Sequence, residues 1–310
     1  MDCAIPLGAS GGAGTPLTIP HLAGSRIWFS IGSPLEFLLN PGPALVEPSV
    51  TNPSDPNIDL QWDFCELTYN DAQLFANISF VDFVCLPVAL GLTGSAGTQT
   101  VPGLPGGGLD TVCTGLAAQA AADGNGWNDL IVTSGGANLR ALSPVNAIVL
   151  NSGLLAGYYD GYVSQVWQKY AATPLTVDTQ ASFGTVTGQV SGGLLTFDGV
   201  GSFAQPSAAD IFSCNSGPFS PAGMSAEMLA ILPRLAAAFN RSTLLIDASQ
   251  PDGENPADYY TNATTNHYAR IVHATTTGGR GYAFPYDDVA PAGGPTSLAR
   301  CPIRPPPCSP

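Results

Sequence analysis

The sequence predicts a mainly β protein of two lobes, with a β-rich lobe built from both ends of the chain and a smaller α/β lobe inserted between them. Three observations predict it. Gly and Pro number 36 and 28 among 310 residues, which favours turn-rich β structure over helix bundles. Apolar runs bounded by turn residues occur in the first ninety residues and return after residue 175. Between them, the apolar spacing changes to the helical period. The expected division is residues 1–90 and 175–310 for the β-rich lobe and 91–174 for the insertion. A chain of this length suits two lobes better than one.

Residues 26–31 (RIWFSI), 58–69 and 74–89 read as strands rich in Ile, Val, Phe and Trp. The stretch from Thr98 to Gly108 (TQTVPGLPGGG) reads as a crossover. The next segment, LDTVCTGLAAQAAA from Leu109, reads as a helix with Asp110 as its N-cap. A second helical pattern lies within 152–171, and LIVTS and NAIVL beside it read as short buried strands. Residues 175–204 alternate apolar with Thr, Ser and Gln, as half-buried strands do. Ser225 to Phe239 reads as a helix carrying Pro233. The chain closes with HYARIVHA, GYAFPYDDV and a Cys/Pro tail.

Charge narrows the function classes. One lysine, Lys169, and eight arginines face 23 acidic residues, for a net charge of -14. Such a surface repels nucleic acid and anionic membranes and suits a neutral partner such as a polysaccharide. No run of about 18 apolar residues exists, so no membrane span is expected. The seven cysteines contain no C-x-x-C pair, which argues against a zinc or redox motif. His21, His267 and His273 lack metal-ligand spacing. No metal or organic cofactor is expected. Sequons at Asn77, Asn240 and Asn262, together with the cysteines, favour an oxidising, secreted setting. An odd count leaves at least one thiol unpaired, and Cys301 with Cys308 is the expected pair. The chain opens Met-Asp-Cys without a signal-peptide pattern, so it is read as a secreted protein whose leader is replaced by an initiator Met. A monomer is expected.

Residues 61–84 (QWDFCELTYNDAQLFANISFVDFV) carry the most chemical information. Two strands joined by a short turn would form a hairpin. Alternation puts Glu66, Thr68 and Asn70 on one face of the first strand, and Asp63 with Cys65 on the other. Asp82 interrupts an otherwise apolar run, ISFVDFV. A carboxylate there is costly unless it faces a cleft or finds partners. Two acids facing one groove in different protonation states are what glycoside hydrolysis needs. A lone Glu and Asp pair is more often a surface or structural pair.

This segment resembles the catalytic hairpin of glycoside hydrolase family 64, the laminaripentaose-producing β-1,3-glucanases of the thaumatin-like superfamily. The matching residues are Glu66, Thr68, Asn70, the block Ala76-Asn77-Ile78-Ser79-Phe80-Val81, and Asp82, sixteen positions after Glu66. SRIWFSIGSP (25–34) resembles the family's first strand and LAGYYDGYVSQVWQKY (155–170) its insertion helix. YAFPYDDV (282–289) resembles the closing acidic strand of thaumatin-like proteins. The likeness runs in order along nearly the whole chain.

The resemblance implies a thaumatin-like β-sandwich or barrel lobe plus the α/β lobe, with a wide groove between them. It implies inversion, with Glu66 as general acid and Asp82 as general base, and carboxyl groups ~6.5–9.5 Å apart. Thr68, Asn70 and Ser79 would contact sugar, and Phe75 would stack on it with less surface than the family's usual Trp. Strict alternation puts Phe75 and Ser79 on the face opposite Asp82, which a bulge or twist would resolve. Asp287 and Asp288 either line the cleft or brace a loop. Arg26 is a cleft residue or a counter-ion to these acids. Tyr158, Tyr159, Tyr162 and Trp167 offer a sugar platform or, for Trp167, a helix core face. GASGGAG near the start reads as a flexible loop. The expected function is a secreted endo-β-1,3-glucanase releasing short oligosaccharides. The rival class is a non-catalytic thaumatin-like glucan-binding or antifungal protein.

Overall fold

The computed structural model describes residues 3–9, 11–94 and 97–292, and the backbone alone at 299–302. The first part is all β: β1 (Leu22–Ile31), a small hairpin β2 (Leu38–Asn40) and β3 (Ala44–Val46), β4 (Gln61–Tyr69), β5 (Gln73–Ile78), β6 (Phe83–Val84), and a second hairpin β7 (Leu90–Gly94) and β8 (Gly97–Val101). A helical stretch follows: α1 (Gly108–Asp123), β9 (Ile131–Ser134), β10 (Ala137–Leu142), α2 (Pro144–Leu150) and α3 (Asp160–Ala172). The last part alternates: β11 (Leu175–Asp178), β12 (Thr185–Ser191), β13 (Leu194–Phe197), β14 (Gly201–Phe203), α4 (Ala208–Ser213), α5 (Ala226–Arg241), β15 (Ser249–Gln250), α6 (His267–Thr275) and β16 (Ala299–Pro302).

Among the described residues three sheets of three or more strands result, ordered β1-β4-β5-β16, β6-β10-β9 and β14-β13-β12-β11-β15, beside the two-stranded hairpins β2-β3 and β7-β8. Every ladder is antiparallel except β11 with β15. The fold is thus mixed sheet and helix. In the first sheet, Leu22 pairs with Tyr69 and Ser25 with Leu67, so three steps on β1 match two on β4. Gly24 supplies the positive φ of 57° at this bulge. The bulge brings Arg26 into register with Glu66.

Local chemistry explains the helices. The Ala-rich α1 ends where Gly124 turns left-handed and donates its N–H to Ala120. Ser207 and Asp210 form a capping box on α4, and Ser225 caps α5. The α5 face bearing Ile231, Leu232 and Leu235 is buried. Apolar residues from Val50 to Val289 form one core. In it α3 packs on β12, α1 on α6 and α2 on α4. Helices on both sides of residue 174 therefore share a core, and α4, α5 and α6 lie in the stretch expected to be β-rich.

Three expectations are corrected. NAIVL is helical, because Ser143 caps α2 and Pro144 takes its first turn. Residues 282–289 are turns, apart from a bridge between Tyr282 and Ser79. Pro285 and the positive φ of Tyr286 (66°) are incompatible with a strand there. The run 74–89 is broken after Ile78, and β6 joins a different sheet.

Cys3, Cys65, Cys85, Cys113 and Cys214 are unpaired. All but Cys3 are buried. Burial pushes the thiols of Cys65 and Cys113 up to about 11 and that of Cys85 up to about 12, as for inert core residues. Among the described residues no disulfide backs an oxidising setting. The expected Cys301–Cys308 pair lies outside the described residues. Asn240 is 0 % exposed, and its amide donates to the carbonyls of Ile211 and Ala236. Its sequon is closed to a glycan in the folded chain. No described helix is long and apolar enough to cross a membrane.

Candidate active site

Two neighbouring strands, one loop and one bend converge on a single guanidinium. Arg26 on β1 donates from Nε to Glu66 Oε1 at 3.1 Å and from Nη1 to Glu47 Oε2 at 3.0 Å. Its Nη2 lies 3.6 Å from Asp82 Oδ2. Three carboxylates thus share one cation, so the site is net negative when all are ionised. The Arg26 side chain is 28 % exposed, so these pairs meet water and are screened. The guanidinium lies 4.2 Å above the Phe64 ring, which with Trp28 and Trp62 forms an aromatic floor. A cavity of about 150 Å³ opens beside Arg26, Asp82 and this floor.

Each carboxylate has its own support. Glu66 sits on β4 between Arg26 on β1 and Asn77 on β5, its register partners on either side. Asp82 lies in the bend where the chain leaves the first sheet for the second. Its main-chain carbonyl accepts the N–H of Ser143 at 3.0 Å and the side-chain amide of Asn146 at 2.9 Å, both at the start of α2. The Tyr268 hydroxyl of α6 donates to the Phe80 carbonyl at 2.6 Å. The helical part of the molecule therefore places Asp82, while the β1-β4-β5 sheet places Glu66. This bend also removes the parity conflict, since strand alternation does not run from Ser79 to Asp82.

The other expected residues separate. Thr68 pairs with Phe75 across the hairpin, which puts both on the Glu66 face. Thr68 Oγ1 accepts the Gly24 N–H at 3.0 Å. Asn70 is exposed just past β4, and its Oδ1 accepts the N–H groups of Ala72 and Gln73 to close the hairpin turn. Ser79 is 4 % exposed under its bridge to Tyr282. Asp63 faces away from Glu66, with backbone N–H groups of Phe64, Cys85 and Leu86 on its carboxyl. Burial pushes that carboxyl up to about 7, and the three donors offset it only in part. Trp167 is a core residue whose indole donates to the Gly193 carbonyl.

Asp287 is buried among polar partners. It is 6 % exposed and accepts from Arg241 Nη2 at 3.1 Å, His273 Nε2 at 2.8 Å and the Ala283 N–H at 2.8 Å. All its acceptor capacity goes to bracing the closing segment. Asp288 is exposed beside Tyr282. Burial, followed by the charge and hydrogen bond of Asp288, pushes the Tyr282 hydroxyl well above its usual value, and the charge of Glu66 adds to this. Tyr282 therefore stands near both acids.

Glu47 and Tyr282 carried no sequence signal of a site. Glu47 follows a three-residue strand with no period to read, and Tyr282 joins the sheet only through a long-range bridge. A larger depression of about 820 Å³ lies on β12, β13 and Glu227. It shares no lining residue with the Arg26 cavity, and chemistry, rather than volume, selects the smaller one. Among the described residues no group of three or more His, Cys, Asp or Glu could hold a metal ion.

Two carboxyl groups, one on a strand and one in the bend that leaves its sheet, brought to one guanidinium beside a cavity form a site of the two-carboxylate class that glycoside hydrolysis requires. The chain belongs to glycoside hydrolase family 64, the β-1,3-glucanase family, whose model matches residues 1–299. It is 31% identical over 286 residues to a glucan endo-1,3-beta-glucosidase of Cellulosimicrobium cellulans and 30% identical to one of an Arthrobacter species (strain YCWD3). Each match covers 88% of this chain and 50% of the relative, so the chain spans about half the length of the curated relatives it matches. The crystal structure of a laminaripentaose-producing β-1,3-glucanase in complex with laminaritetraose superposes with a TM-score of 0.80 at 38% identity, covering 91% of this chain and 76% of that one. A β-1,3-glucanase domain from Clostridium beijerinckii shares the fold, with a TM-score of 0.72 at 24% identity over 92% of this chain and 74% of that one.

Proposed function

We propose that this chain is a secreted, monomeric endo-β-1,3-glucanase that hydrolyses laminarin, curdlan or cell-wall glucan with inversion. One observation carries the reading: Glu66 on β4 and Asp82 in the bend before β6 meet on one guanidinium beside an open cavity. Glu66 is the general acid, protonating the departing glycosidic oxygen. Asp82 is the general base, taking a proton from the attacking water. The two contacts and the span of a planar guanidinium cap the Oε1–Oδ2 separation at roughly 9 Å, which admits the ~6.5–9.5 Å of an inverting pair. Arg26 holds both acids apart and steadies Glu66 once it has given up its proton. Thr68 and Phe75, on the same face, contact the sugar, with the Asn70 amide and Asp288 at the cleft's edge. A thaumatin-like β lobe and a helical lobe flank the groove, in keeping with the placement of Asp82 by α2 and α6. The acidic surface suits a neutral glucan and disfavours nucleic acid and anionic membranes.

Laminarin hydrolysis by wild type, Glu66→Gln and Asp82→Asn tests this. Loss of about 10²–10⁴ in kcat for each variant is expected. An inactive wild type, or full activity in both variants, would falsify the reading and favour a glucan-binding protein. An anomeric NMR time course should show the α-anomer first, and a first-formed β-anomer excludes inversion.

A further inference from the structure

Asn77 has a side-chain oxygen, Oδ1, that is buried and has no hydrogen-bond partner among the described residues. An orphaned acceptor of this kind is rare in folded proteins and calls for a reason. Its position suggests one. Asn77 on β5 is the register partner of Glu66 on β4, so the two side chains share a face with Cβ atoms ~4.5–5.5 Å apart. On the other side of Glu66, in the same row, stands Arg26. The Glu66 carboxyl thus lies between a cation and an acceptor. Arg26 pairs with the ionised form. Asn77 Oδ1 can pair only with the protonated form, because an ionised carboxylate has no hydrogen to donate.

Resting on the reading of Glu66 as general acid, we propose that Asn77 is a positioning residue that receives a hydrogen bond from protonated Glu66 and holds its proton ready for the glycosidic oxygen. When glucan binds, the proton passes from Glu66 to the departing oxygen as the C1–O bond breaks. Water attacks C1 and gives its proton to Asp82. Glu66, now a carboxylate, turns to the guanidinium of Arg26. Asp82 gives its proton to solvent, and uptake of one from solvent by Glu66 restores the bond to Asn77. The amide and the guanidinium are therefore the two rests of one carboxyl group through the cycle. The other charged or titratable groups around it are Glu47 after β3, Asp82 in the bend after β5, and Tyr282 and Asp288 in the closing segment. None of these lies in register with Glu66 on β5. The Oδ1 atom already lacks a partner among the described residues, so losing it should cost the fold little.

Two variants and two substrates test this. Asn77→Ala should leave the apparent Tm unchanged or raised. The basic limb of its kcat profile on laminarin should fall about one pH unit lower, with kcat about tenfold down on that limb and KM within twofold. β-Laminaribiosyl fluoride needs no proton on its leaving group, so its hydrolysis by Asn77→Ala should stay within twofold of wild type. Asn77→Asp keeps the shape and adds an acid beside Glu66, so its basic limb should move to higher pH. Equal losses of Asn77→Ala on laminarin and on the fluoride would make Asn77 a sugar-binding or structural residue and overturn the proposal. A basic limb unmoved in Asn77→Ala, or shifted to higher pH by an amide that donates to ionised Glu66, would overturn it as well. Failure of the parent reading looks different: Glu66→Gln would then keep full activity on laminarin, whatever Asn77 does.

Discussion

Replacing Asp287 with alanine removes a carboxylate that three donors share and leaves Arg241 buried without its nearest counter-ion. Arg241 keeps Glu254, but at 4.0 Å, and keeps the carbonyls of Asp287 and Val289. Breaking a buried pair from one side typically costs about 3–5 kcal/mol, and the surviving Glu254 points to the lower end. At ~2.1 cal/mol/K of unfolding entropy per residue, a domain of this size should lose roughly 5–8 °C of apparent Tm. His273 gives the effect a pH dependence. Burial disfavours its imidazolium, but the Asp287 charge, the Asp287 hydrogen bond and the Gly279 carbonyl outweigh burial, so its pKa is raised above the usual 6.5. Stability from a raised histidine is complete below the unfolded pKa and is lost as pH rises through the folded one. The gap in Tm between wild type and Asp287→Ala should therefore be widest near pH 5.5 and narrow in alkaline buffer, with the Arg241 share persisting. Thermal melts at several pH values measure the gap, and laminarin kinetics at 25 °C accompany them. An unchanged Tm with a several-fold higher KM would refute the reasoning and return Asp287 to the cleft.

Other outcomes follow from the same contacts. Asp63, pushed up to about 7 by burial, binds its proton more tightly folded than unfolded, so stability should fall as pH rises from about 4 to 7. Asp63→Asn should flatten that slope in urea titrations across pH. Asn146→Ala removes the side-chain donor to the Asp82 carbonyl and should lower kcat on laminarin about tenfold with little change in Tm, because a base displaced by a fraction of an ångström loses its aim. Asn240→Ala leaves buried partners unsatisfied and should cost about 1–3 kcal/mol in denaturant melts. Intact-mass analysis of wild type from a glycosylating host should find no glycan on Asn240. Gly103→Ala places a Cβ 2.1 Å from the Val88 carbonyl oxygen at a φ of +65° and should abolish or sharply reduce soluble yield.

Much of the β architecture was legible because alternation is a local signal. Strand β4 and helices α1, α3 and α5 lie where their periodicities put them. Other elements were misread for identifiable reasons. NAIVL is apolar enough for a buried strand, and only the cap of Ser143 and Pro144 before it marks a helix. YAFPYDDV has strand-like residues, but it forms turns in which Asp287 braces the loop instead of lining a sheet. Asp287 and Asp288 are adjacent in the chain yet end up with opposite roles, one closed in by Arg241 and His273 and the other exposed.

The sequence alone determined the acidic composition, the β-rich beginning and the placing of Thr68 on the Glu66 face, since composition and strand period are properties of neighbouring residues, while the likeness to a known family singled out Glu66 and Asp82. The tertiary structure alone decided how these acids meet. The Gly24 bulge sets Arg26 opposite Glu66, the break after Ile78 frees Asp82 from the alternation of β5, and Ser143 and Asn146 hold it from the start of α2. It also decided that Glu47 shares the guanidinium and that Asn77 Oδ1 has no partner among the described residues. These are contacts between segments distant in sequence, set by how strands and helices pack into one core, and no period along a single strand encodes them.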